Sequence, residues 1–120
     1  MSSTCRGLSS LSTIRPTVSS GLSTFGSAEA NDIWGWTDSS SGREFAIIGL
    51  ADGTGFVEIT NAANPVYLGK LPTQTFSSSW RDIKVYNNHA FIVSEASNHG
   101  MQIFDLNLLL IIKIFLLIYF

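Results

Sequence analysis

The 120 residues carry 7 basic and 9 acidic side chains, a net charge of −2, with 45 % hydrophobic and 13 % charged residues. So apolar a chain is not disordered throughout, and it has room for one small domain at most. The seven basic residues scatter from Arg6 to Lys113 without the clustering that phosphate binding needs, which argues against nucleic acid as a partner.

The stretch from Met1 to about Ser20 is rich in Ser and Thr, contains Arg6 and Arg15, and has no acid before Glu29. Residues 1–20 read as a disordered N-terminus, with an organellar transit peptide as the alternative, since such peptides are Arg- and Ser-rich and poor in acids. No apolar run of secretory-signal length is visible there. Cys5 is the sole cysteine, so neither an intrachain disulfide nor a CxxC site can form.

Residues 21–106 alternate short β-rich runs with turn signals. Ile33–Thr37 is the first run, followed by the polar connector DSSSGR (Asp38–Arg43) and a second run, EFAIIGL (Glu44–Leu50). Asp52-Gly53 predicts a tight turn in which Gly supplies a positive φ. FVEIT (Phe56–Thr60) is the third run; a loop with Asn64-Pro65 precedes a fourth, VYLGKL (Val66–Leu71). The pattern then restarts. DIKVY (Asp82–Tyr86) and HAFIVSE (His89–Glu95) flank Asn87-Asn88, a two-residue hairpin signal because Asn enters the left-handed region readily. Asn98-His99-Gly100 turns the chain into MQIFDL (Met101–Leu106).

The two halves align. Asp32-Ile33 maps onto Asp82-Ile83, Ala46-Ile47-Ile48 onto Ala90-Phe91-Ile92, and Val57-Glu58-Ile59 onto Phe104-Asp105-Leu106. A period of roughly 45 residues with about four strands per unit is that of propeller blades. The fold class expected is therefore all-β: an incomplete β-propeller of about two four-stranded antiparallel blades.

Asn107–Phe120 (NLLLIIKIFLLIYF) breaks the pattern, with no turn residue and no alternation. As a helix, Leu106–Phe120 would reach about 22 Å, short of a bilayer core of about 30 Å, and Lys113 sits at its middle. The run is expected to stand apart from the propeller, as the product of a splice boundary or truncated gene model. A membrane anchor and a buried structural element are the alternatives.

The segments STFGSAEANDIWGWTD, VEITNAANPVYLGKLP and SSWRDIKVYNNHAFIVSEASNHGMQIFDL resemble the choice-of-anchor B family, built from LVIVD-type propeller repeats. In that repeat a V-D-V strand precedes a loop ending N-P and then L-G; Val57-Glu58-Ile59, Asn64-Pro65 and Leu68-Gly69 stand in those places. The resemblance spans about Leu22 to Leu106. It implies a secreted or cell-surface propeller of several blades, of which this chain resembles the first two. It carries over no catalytic residue.

Several constellations are weighed on their chemistry. Trp34, Trp36 and Trp80 suggest sugar stacking, but Trp34 and Trp36 share a strand face, as core residues do. Asp32 and Asp82 hold equivalent places and could line a site, or accept backbone N–H groups. Ser77–Asp82 with His89 lacks a G-x-S-x-G elbow. Gly49, Gly53 and Gly55 are not followed by the Gly-Lys-Ser/Thr of a phosphate loop. Asp38–Gly42 lacks calcium-loop spacing, and His89 and His99 have no companion ligands for zinc. No catalytic, metal or cofactor-binding residue and no cofactor is assigned. The expected function is a non-catalytic surface or secreted interaction module, present as a fragment, whose partner is a protein or glycan. A propeller glycan hydrolase with its catalytic residues on other blades, and a small membrane-tethered protein using 107–120, are the alternatives.

Overall fold

The computed structural model describes residues 29–111. The transit-like stretch 1–20, Cys5 and residues 112–120 of the apolar tail lie outside the described residues. Seven strands run in chain order: β1 (Ala30–Thr37), β2 (Glu44–Leu50), β3 (Gly53–Glu58), β4 (Val66–Pro72), β5 (Arg81–Tyr86), β6 (His89–Ser94) and β7 (Met101–Asp105). They form two antiparallel meanders, β1-β2-β3-β4 and β5-β6-β7. The all-β expectation holds. The second sheet has three strands among the described residues, not the four expected, because after β7 the chain turns at Leu106 into a helical turn over 108–111.

Pairing is equivalent in the two sheets. Ile33 pairs with Ile48 and Ala46 with Val57 in the first sheet; Ile83 pairs with Ile92 and Ala90 with Phe104 in the second. These are the partners that the internal alignment of the sequence puts in register. Because side chains alternate across a strand, equal register means that equivalent residues emerge on equivalent faces.

The faces are used unequally. β2 and β3, rich in β-branched and aromatic residues, are buried along nearly their whole length, on both faces of the first sheet. One face carries Trp36, Phe45, Ile47, Phe56 and Leu68 and packs on Ile83, Ala90, Ile92, Leu106 and Leu109. The rings of Phe56 and Phe104 stack across the sheets with centroids 4.6 Å apart. Each such side chain contributes about 1.5–3 kcal/mol by leaving water. The opposite face of the first sheet collects Ala46, Ile48, Leu50, Val57 and Ile59 in a second buried cluster. In the second sheet, by contrast, β5 alternates buried and exposed residues, so one of its faces is open.

Local chemistry explains the connections. Asn87 and Asn88 both have positive φ, 48° and 58°, as a two-residue hairpin requires. Gly53 does not follow expectation: its φ is not positive. Glycine is needed there because a Cβ would collide with the Leu71 carbonyl oxygen, so close does β4 approach. The DSSSGR connector folds around Asp38, whose carboxylate accepts the hydroxyls and backbone N–H groups of Ser40 and Ser41. Those hydroxyl hydrogen bonds hold the Asp38 carboxyl below its ordinary range.

The start of the apolar tail is not separate from the core. Leu109 is fully buried in the main cluster with Leu106, three residues earlier, and Leu110 packs against it. Arg43, paired with Glu58 through two hydrogen bonds of 2.9 and 3.0 Å, also reaches the Leu110 carbonyl. No helix among the described residues is long and apolar enough to cross a membrane.

Candidate functional site

The polar chemistry of the molecule gathers where β1 and β5 lie against each other. Asp32 stands at the start of β1, where one extra residue relative to β2 forms a bulge between Ala30 and Ile33. A bulge re-aims side chains, and Asp32 crosses to the second sheet: its Oδ2 accepts the backbone N–H of Ile83 at 2.7 Å. Beside it, Asn31 Nδ2 donates to the Ser79 carbonyl at 2.7 Å. Of the two roles open to Asp32 in the sequence, backbone capping is thus realised, and it acts between sheets instead of within a turn.

Asp82, at the equivalent place in β5, does something different. It is exposed and takes a hydrogen bond from Lys84 Nζ at 2.9 Å. The Lys84 ammonium holds Asp82 below the usual carboxylate range. The Lys84 ammonium also lies 4.8 Å from the centre of the Trp34 ring.

Asn31, Asp32, Trp80, Arg81, Asp82, Val93, Ser94 and Glu95 line a pocket of about 330 Å³. Its wall is acidic and carries one aromatic platform, Trp80, which is 63 % exposed. The three tryptophans therefore part company. Trp36 is core, and its Nε1 donates to Asn88 Oδ1 of the second sheet at 3.1 Å. Trp34 is exposed, with Lys84 over its ring, and so is not the core residue its shared strand face with Trp36 suggested; of the three only Trp80 lines the pocket.

Arg81 is the residue that sequence reasoning missed. Its side chain is buried, yet among the described residues no carboxylate forms an ion pair with it. Nε donates to the Leu50 carbonyl at 2.8 Å, and Nη2 to Thr73 Oγ1 at 2.9 Å and the Ala51 carbonyl at 3.4 Å. Nη1 meets His99 Nε2 at 3.2 Å. Since His99 Nδ1 faces the Gly100 carbonyl at 2.9 Å, it must carry the hydrogen, and Nε2 is left to accept from Arg81. Burial pulls the guanidinium below its ordinary pKa, while the charge of Asp52 opposes that shift. One side chain thus joins the β2–β3 turn, the β4–β5 connector and the β6–β7 turn. A signal for it existed: Arg81 is in phase with Ile83 and Val85 on the inward face of β5.

His89 Nδ1 lies 2.7 Å from the Asn87 carbonyl, and Ser78 Oγ accepts the N–H of Trp80. These partners tie both residues to nearby backbone. Among the described residues no group of three or more His, Cys, Asp or Glu side chains is arranged to hold a metal ion. No family model, curated protein or solved structure matches the chain.

Proposed function

We propose that the chain contributes two successive blades of a β-propeller that serves as a non-catalytic interaction module, secreted or at a cell surface, with a protein or glycan as its partner. The observation that supports this reading is the equivalent register of the two meanders, Ile33 with Ile48 and Ile83 with Ile92, together with their face-to-face packing. Successive sheets of one repeat, stacked with their first strands side by side, are the construction unit of a propeller. The family resemblance in the sequence points the same way and supplies the location.

Within that reading, the pocket beside Trp80 is the place for a ligand. An exposed indole offers a flat apolar face to sugar C–H groups, and Asp32, Asp82 and Glu95 offer acceptors for hydroxyls. The test is Trp80→Ala, screened on a glycan array and against surface-protein ectodomains. Because Trp80 is exposed, its loss should change stability by less than about 0.5 kcal/mol while abolishing whatever binding the unaltered chain shows. Binding that survives Trp80→Ala would remove the pocket from the interaction.

A further inference from the structure

The fold already holds one cation between an indole and a carboxylate. The Lys84 ammonium lies 4.8 Å from the centre of the Trp34 ring and 2.9 Å from Asp82 Oδ1. The quadrupole of an aromatic face attracts a cation, and a carboxylate fixes its position.

The pocket beside Trp80 offers the same two kinds of group. The backbone of Trp80 is pinned at both ends: its N–H donates to Ser78 Oγ at 3.1 Å, and its carbonyl accepts the Ser94 hydroxyl at 3.0 Å. The residue that carries the exposed indole is thus held in place before any ligand arrives. Asp32, Asp82 and Glu95 add three carboxylates to the lining. Arg81 is the basic residue of that lining, but it directs its donors to Leu50, Ala51, Thr73 and His99, none of which lines the pocket. Lys84 pairs with Asp82, while Asp32 and Glu95 form no ion pair among the described residues.

We propose that this pocket takes the guanidinium of an arginine side chain presented by a protein partner. The inference rests on the reading of the pocket as the ligand site, and it narrows the occupant from protein or glycan to a cationic protein side chain. Charge complementarity carries the choice. A planar guanidinium stacks on an indole while donating paired N–H groups to a carboxylate, which an ammonium cannot do. A neutral sugar would meet the same indole but gain less from the charge of Asp32 and Glu95. At about 330 Å³ the space is at the small end for a ligand pocket, the scale of one long side chain and not of an oligosaccharide.

The probe is N-acetyl-arginine N-methylamide, titrated into the full-length chain and followed by NMR at the backbone amides of Asp82 and Ser94. Its neutral citrulline analogue controls for charge, and methyl glucoside controls for stacking alone. Saturable shifts are expected with the arginine probe, with a dissociation constant on the order of 1 mM for so small a ligand. The citrulline analogue should bind about tenfold more weakly. Trp80→Ala should weaken the arginine probe about tenfold, Trp80→Phe far less, and Glu95→Gln about threefold. Both positions are exposed, so these variants should fold as the unaltered chain does. Absence of saturable binding by the arginine probe overturns the inference. So does equal binding of the arginine and citrulline probes, or binding indifferent to Trp80→Ala and Glu95→Gln. Methyl glucoside bound at these amides in place of the arginine probe would assign the pocket to a glycan, overturning the inference and leaving the pocket reading standing. That reading falls separately, if a protein or glycan that binds the chain binds Trp80→Ala equally well.

Discussion

Replacing Arg81 by leucine will destabilise the chain by about 3 kcal/mol, since each buried acceptor left without a donor costs about 1–3 kcal/mol. The orphaned groups are the Leu50 carbonyl, Thr73 Oγ1 and His99 Nε2, all on different connections. Leucine removes the cost of burying a guanidinium, which offsets part of the loss and keeps the figure from being the sum of three. Arg81→Lys should recover little of it. An ammonium on a flexible stem cannot span a planar fork of acceptors on three loops. Urea unfolding of the three proteins measures this directly. If Arg81→Leu unfolds at the same midpoint as the unaltered chain, Arg81 is not the staple between the sheets.

The second large effect is at Phe56, and its control is built into the repeat. Phe56→Ala should cost about 3–5 kcal/mol, the usual range for deleting a buried aromatic ring. Phe56 is 3 % exposed and stacked on Phe104, so its cavity opens between the sheets where neither can collapse to fill it. Ile103→Ala, at the equivalent position in the second sheet, should cost under about 0.5 kcal/mol because Ile103 is open to solvent. One position of the repeat, two costs: the difference reads whether a neighbouring sheet covers that face. Equal costs at the two positions would mean that the faces are not used as described.

The sequence already exposes what depends on local pattern. Alternation located the strands, Asn87-Asn88 gave the hairpin, and the spacing of Asp32-Ile33 and Asp82-Ile83 gave the repeat and its register. These are short-range signals, decided by turn chemistry and a period of two. What escaped depends on contacts between distant segments. Gly53 has the local signature of a turn glycine, but the Leu71 carbonyl eighteen residues on decides its identity. Leu109 sits in an apolar run that looks foreign to the repeat, and only the open end of the two-sheet core shows why it is buried. A charged residue in phase with Ile83 and Val85, as Arg81 is, marks either an exception to alternation or a buried polar network, and here it is the network. The pocket was half legible: Asp32 and Asp82 are equivalent in sequence, but which tryptophan stands beside them is settled by the β4–β5 connector that carries Trp80.

The most direct test of the two-sheet stack is a set of proton–proton contacts measured by NMR on the full-length chain. Two equivalent meanders packed face to face predict cross-strand contacts for Ile33–Ile48 and Ile83–Ile92, and for Ala46–Val57 and Ala90–Phe104. They also predict ring-to-ring contacts between Phe56 and Phe104. Cross-strand contacts shifted by one residue in either sheet, or both sheets formed without the Phe56–Phe104 contact, would contradict it.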